Sequence, residues 1–445
     1  MSNAIGPIDG RYYEKLKHLS KYFSENALFK YRSKVEVLYF IELLEKTLGH
    51  KLTNSKKVEL NKIFENFSST DALKIKSIEK ITRHDVKAIE YFIKEKIQEH
   101  SLKKYVEFVH FGLTSQDINN TAIPMLLKDA CIDEFIPKIE ELIKKIKSIA
   151  FQYRKLAMLA RTHGQAASPT SLGKEMYVFV ERLNYQLIKL KSFKYSGKFG
   201  GATGNFNAHS VAYPKVNWKK WSDRFLKTKL GLERQQTTTQ IAHYDEIAEW
   251  CHIVLRLNTI LLDFSKDIWS YISIDYFTQV AKANEVGSSA MPHKVNPIDF
   301  ENAEGNLGIA NSLFSHLAEK LPISRLQRDL TDSTVLRNIG NPIAHSYLAY
   351  LSLLSGLDKI AANPVKIKLD LERNWIILAE PIQTILRREG ISGAYEILKD
   401  LTRGKSEVSK SDIHQFIDGL KLDQAVVKEL KQLTPFNYVG YSFKF

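Results

Sequence analysis

The chain has 445 residues, 44% of them hydrophobic and 26% charged, and 64 Lys and Arg against 50 Asp and Glu give a net charge of +14. That length supports a large core split into two or three domains, and the composition excludes a disordered or fibrous chain. The only two cysteines, Cys131 and Cys251, lie far apart in sequence, which argues against a disulfide scaffold or a cysteine-based zinc site and fits a reducing compartment.

The N-terminal stretch MSNAIGPIDGRYYEKLKHL lacks the apolar run of a signal peptide. The net balance fits an anionic ligand, either a polyanion such as nucleic acid or a small phosphate and carboxylate substrate. The positive charge is scattered in short pairs such as Lys56-Lys57 and Lys103-Lys104, however, so most of it reads as solvated surface. Further along, helical spacing dominates over roughly 125–158, 173–194, 301–320 and 340–362. It is clearest over 247–272, where Ile247, Trp250, Val254, Leu257, Leu261, Phe264 and Ile268 recur every three or four residues. Apolar residues between them widen the stripe, as expected of a helix buried among neighbours. Asp263, Lys266 and Asp267 break this stretch short of a membrane span. No run alternates with period two, so the expected fold is all-α with few strands. Its expected parts are an N-terminal helical domain (1–111), a central long-helix bundle (112–362) and a C-terminal helical domain (363–445). A cytoplasmic location, with no membrane partner, is the matching expectation.

Polar, glycine-rich punctuation falls at 6–12 (GPIDGRY), 111–117 (FGLTSQD), 161–171 (RTHGQAASPTS), 198–217 and 287–297 (GSSAMPHKVNP). Loops held by a rigid scaffold are where chemistry concentrates. In the last of these, Gly287, Ser288 and Ser289 are small and mobile, and Pro292 and Pro297 stop helix formation. Lys294 and Asn296 add a fixed charge and an amide suited to stabilising a serine alkoxide. Thr114 and Ser115 set two hydroxyls at a helix start, suited to a carboxylate. Ser333 and Arg337, at i and i+4, are expected to share one face near the start of a helix that favours an anion. The segment KFGGATGNFNAH has no GK[ST] ending and follows no strand, so it reads as a packing turn rather than a phosphate loop. His209, His243 and His293 show no metal-ligand spacing, and neither metal nor cofactor is expected.

The compound pattern GSSAMPHKVNP resembles the signature loop of the fumarase/aspartase superfamily, whose members eliminate fumarate from a substituted succinate. RTHGQ at 161–165 resembles its T-x-H-x-Q loop. GPIDGRY, TRHDVKAIEY at 82–91, GLTSQDIN, RDLTDSTVLRN at 328–338 and LAEPIQTILRREG resemble the branch acting on adenylosuccinate, the last in its gamma-proteobacterial version. The resemblance runs from residue 6 to about 440. It implies a D2 homotetramer with a twenty-helix core and active sites each shared by three subunits. The implied reaction is β-elimination of fumarate from adenylosuccinate, giving AMP, and from succinyl-aminoimidazole carboxamide ribotide. In the implied roles Ser288 is the general base, His163 the general acid, and Lys294 stabilises the carbanionic intermediate. Thr114, Ser115 and Gln240 grip the succinyl group, and His84 and Asp85 line the site. Arg11, Tyr12, Arg328, Ser333 and Arg337 surround the phosphate, while Gln165, Ser289, Met291 and Asn296 complete the substrate contacts. Two positions depart from the pattern: Ala166 stands where proline often follows the glutamine, and Gln116 where an acidic residue is common. The alternatives are another fumarate-releasing lyase, such as one acting on argininosuccinate, and a basic nucleic-acid-binding protein. The former lacks a use for the phosphate residues; the latter lacks any binding motif or basic stripe.

Overall fold

The computed structural model describes residues 3–98, 102–280, 291, 294–402 (400–402 as backbone only) and 408–441. Ser288 and Ser289 lie outside the described residues. The fold is all-α, as the spacing predicts. The long helices are Glu25–Lys46, Ser69–Thr82, Asp85–Gln98, Ser115–Ala130, Ile136–Gln152, Leu172–Lys191, Asp245–Ser273, Ile298–Lys320 and Gly340–Leu357. The run expected over 125–158 is divided: a π-helical turn at Cys131–Phe135 separates two α-helices, and the second ends at Gln152. Strands among the described residues are two or three residues long and form two-stranded pairs.

Contacts divide the chain into two compact units. The first comprises 1–139, 186–259 and 305–349, and the second 140–185, 260–304 and 350–445. In the first, Val37, Phe40 and Leu44 of the Glu25–Lys46 helix pack with Ile75, Ile89, Phe92 and Ile93 in one buried cluster. Burying each such side chain contributes about 1.5–3 kcal/mol. That helix starts where Ser24 accepts the Ala27 N–H at 3.1 Å, a cap worth ~1 kcal/mol. In the second unit, Trp375, Leu378, Ile382, Leu386, Ile413 and Ile417 make the corresponding cluster. No described helix is long and apolar enough to cross a membrane.

One contact in the first unit makes stability pH-dependent. Glu36 is fully buried and meets His110 Nδ1 at 2.5 Å. Burial works against the imidazolium, but the carboxylates of Glu36, Glu90 and Asp117, Glu36 foremost, together raise the His110 pKa above its ordinary 6.5. The pair's contribution is therefore fully present below about pH 6.5 and lost as pH rises through the raised folded value. Urea unfolding of the wild type should show that decline, and His110→Asn should flatten it. An unchanged slope would exclude the pair as its source.

Candidate active site

In the first unit, the Asp85–Gln98 helix begins at Asp85, whose Oδ1 accepts its own helix's Val86 N–H at 2.8 Å. The other carboxylate oxygen meets Arg32 Nη2 at 2.9 Å and Arg337 Nη2 at 3.8 Å. Burial would raise the Asp85 pKa, but Arg32, the Val86 N–H and Arg337 together hold it below the ordinary carboxylate range. Arg32 is 4% exposed and its Nε has no hydrogen-bond partner. Burial lowers its pKa and Asp85 opposes that shift. His84 sits one residue before the helix, half exposed, with Nδ1 accepting the Lys87 N–H at 3.1 Å and Nε2 3.4 Å from Ser115 Oγ. The HDV and LTSQD segments therefore meet.

Arg328 Nη2 donates to Ser333 Oγ at 2.9 Å and lies 3.5 Å from Asp332. Buried Asp332 also accepts from Tyr244 Oη at 2.9 Å, and Tyr244 accepts from Asn120 Nδ2 at 2.7 Å. Gln116, the departure noted above, is 1% exposed, and its amide oxygen, in the orientation that satisfies its neighbours, accepts from Arg328 Nη2 at 2.6 Å. A carboxylate there would add a second buried charge beside Asp117; the amide serves the arginine without one. The helix expected to start near Ser333 spans only Thr331–Leu336, which corrects one expectation: Arg337 is its C-cap, not part of its first turns. The Ser333 N–H is also taken by Asp332 Oδ1 at 2.7 Å. An anion here would meet side chains rather than a helix N-terminus.

Asp85, Gln116, Ser333 and Arg337 line a cavity of about 210 Å³ together with Arg32 and Asn119. Arg337 also borders a cavity of about 160 Å³ with Asp9 and Tyr13, which bracket Arg11 and Tyr12 in sequence. Arg11 is exposed, its guanidinium carbon 5.9 Å from the Tyr12 ring centre. Thr114 is the N-cap of the Ser115–Ala130 helix, as expected, and Gln240 Nε2 donates to the Ala202 carbonyl at 3.1 Å.

In the second unit, the segment expected as a loop at 161–171 opens with a tight hairpin over 161–166, and Thr170–Ser171 pairs separately with Ala157–Met158. Thr162 pairs with Gln165, leaving His163 and Gly164 as a two-residue turn with φ of +53° and +76°. Two positive φ values are the mark of a type I′ turn, whose twist matches the flanking strands. Gly164 supplies the second at no steric cost. The turn presents His163 and Gln165 to solvent. Arg161 anchors the hairpin to Asp370 at 3.2 Å, and Asp370 also accepts from Tyr276 at 3.0 Å. Met291 and Lys294 are exposed, and the Lys294 N–H donates to the Met291 carbonyl at 3.0 Å. Asn296 is partly buried just before the Ile298–Lys320 helix, and Gln279 holds the Val295 carbonyl at 2.8 Å.

Sequence reasoning did not single out Arg32, Asp117, Lys198 or Asp332. Asp117 stood inside a quoted motif and Lys198 at the start of another, but their partners are distant in sequence.

Known proteins give the wider frame. The family described as Lyase matches residues 10–310, and the one described as Adenylosuccinate lyase C-terminal matches 324–439. Among solved structures, a fumarate lyase from Mesorhizobium sp. BNC1 superposes with a TM-score of 0.76 at 17% identity, covering 96% of this chain and 95% of that one. A 3-carboxy-cis,cis-muconate lactonizing enzyme from Pseudomonas putida gives 0.74 at 18% identity, over 95% and 94% of the two chains. Fold and profile together define a lyase of the fumarase/aspartase superfamily. The adenylosuccinate lyase of Dictyostelium discoideum is 52% identical over 450 residues, 98% of this chain and 96% of that one. That of Escherichia coli (strain K12) is 48% identical over 445 residues, again 98% and 96%. The chain belongs to the adenylosuccinate lyase family.

Proposed function

We propose that this lyase cleaves adenylosuccinate to AMP and fumarate, and succinyl-aminoimidazole carboxamide ribotide to the carboxamide ribotide and fumarate. The near-full-length identity to adenylosuccinate lyases carries this reading. Both substrates offer a phosphate and a succinyl-amine, so one site serves both.

In this reading Ser288 takes the proton from the carbon next to a succinyl carboxylate, and the electron pair builds a dianionic aci-carboxylate. Positive charge and donors set in place before reaction stabilise it, the role given to Lys294 and Asn296. The pair then forms the fumarate double bond as the carbon–nitrogen bond breaks, and His163 returns a proton to the departing amine. Thr114, Ser115 and Gln240 hold the succinyl end, with Gln165, Ser289 and Met291 closing around it. Asp85 and His84 face the nucleotide, and Arg11, Tyr12, Arg328, Ser333 and Arg337 take the phosphate. The exposed His163 tip and the arginines around Ser333 suit these roles. Three segments, 1–111, 112–362 and 363–445, would build a homotetramer whose sites each draw on three subunits. Val178, Tyr185 and Ile188 support association: they lie at i, i+7 and i+10 of one helix and are exposed in the single chain. Two free buried thiols suit the reducing cytoplasm.

The test is to add purified protein to adenylosuccinate, follow the ultraviolet change and identify AMP and fumarate by chromatography. Turnover of argininosuccinate in place of adenylosuccinate would overturn the reading.

A further inference from the structure

Asp117 and Lys198 are fully buried, and Lys198 Nζ donates to Asp117 Oδ1 at 2.8 Å and to the Gly201 carbonyl at 2.5 Å. Asp117 also accepts the N–H groups of Gly200 at 2.8 Å, Gly201 at 3.1 Å and Thr114 at 2.8 Å. One carboxylate thus draws together the start of the Ser115–Ala130 helix and the 200–204 loop. The loop comes this close because of its glycines: Gly201 has φ +79°, and a Cβ on Gly204 would fall 2.5 Å from the Thr238 carbonyl oxygen. The same loop carries the Ala202 carbonyl that holds Gln240. A buried ion pair is weak evidence for stability, since apolar replacements of similar volume are often as stable. The ties made by this pair lead instead to Thr114 and Gln240.

We infer that the Asp117–Lys198 pair is a positioning element for the succinyl end of the site: it sets the Thr114–Ser115 turn and the loop holding Gln240 at a fixed separation without touching substrate. This rests on the function proposed above and adds to it the residues that set affinity for the four-carbon acid. Neither Asp117 nor Lys198 hydrogen-bonds Asp85, Arg328, Ser333 or Arg337 of the nucleotide end; beyond the bond between them, their side-chain bonds run to Thr114, Gly200 and Gly201.

The test is the double variant Asp117→Asn/Lys198→Met, which removes both charges and strands neither. Asp117→Asn alone is the second variant; there Lys198, its pKa already lowered by burial, can shed its proton rather than remain an unpaired cation. Inhibition by fumarate and by AMP is measured beside KM for adenylosuccinate, with thermal unfolding as the check on folding. Wild-type binding of both products is established first by calorimetry. The expected result is at least a tenfold rise in KM and in the fumarate inhibition constant, with the AMP constant within twofold. A folded variant with unchanged fumarate inhibition overturns the inference, as does an equal loss for both products, the mark of a purely structural role. A wild type that binds neither product overturns the functional reading and this inference with it; product binding with an unaffected variant overturns the inference alone.

Discussion

His163→Asn is expected to lower kcat by about 10²–10⁴-fold while leaving the unfolding temperature unchanged or slightly raised. The magnitude is that of a lost proton donor to a poor leaving group. Stability should hold because of where His163 sits. It is the first residue of a type I′ turn with φ +53°, and Asn followed by Gly is the most favoured pair for that turn. Alanine there would add a left-handed penalty of about 1–2 kcal/mol and mix folding with chemistry. Ser288→Ala should lose activity on a similar scale. If each site draws its acid and base from different subunits, mixing the two inactive proteins under subunit exchange should restore part of the activity. Full activity in His163→Asn, measured with adenylosuccinate at neutral pH, would remove the histidine from its assigned role.

Asp85→Asn should lower stability at pH 7 by about 3 kcal/mol, the lower end of the cost of breaking a buried ion pair. The lower end applies because the Asp85 side chain keeps 24% of its exposure, whereas the buried Arg32 would be left without its anion. The pH dependence distinguishes this from a packing loss. The folded pKa of Asp85 lies below the unfolded value of 3.8, so its contribution is complete above that value and lost as pH falls through the folded one. Urea unfolding of wild type and variant should therefore differ most near neutrality and converge on acidification. A gap that stays constant down to the acid limit would assign the loss to packing.

Local signals were readable in the sequence. The apolar spacing over 247–272 became the Asp245–Ser273 helix. Exposed residues recur there at Glu249, His252, Arg256, Thr259, Asp263, Lys266 and Ser270 while most apolar positions between them are buried, and that contrast is what a 3.6-residue period records. The Thr-Ser pair marked a helix start, since an N-cap is decided within four residues. What escaped were pairings between distant positions. Asp117 meets Lys198 across 81 residues, and Arg32 meets Asp85 from the middle of another helix. No local period encodes such partners, and a lone arginine or lysine reads as surface. Arg337 was misplaced for a different reason: an i, i+4 pair fits either end of a short helix. The Thr331–Leu336 helix ends one residue before it.

The turn at 163–164 also limits how this region can vary in length. With Thr162 paired to Gln165, the connection has no spare residue. An inserted residue that shifted the pairing by one position would send each side chain beyond it to the opposite face, turning Gln165 away from the face it shares with Thr162 and breaking the register that Arg161 anchors through Asp370. The segment should thus accept few insertions, and a library of random single-residue insertions should return almost no active clones between Thr162 and Gln165.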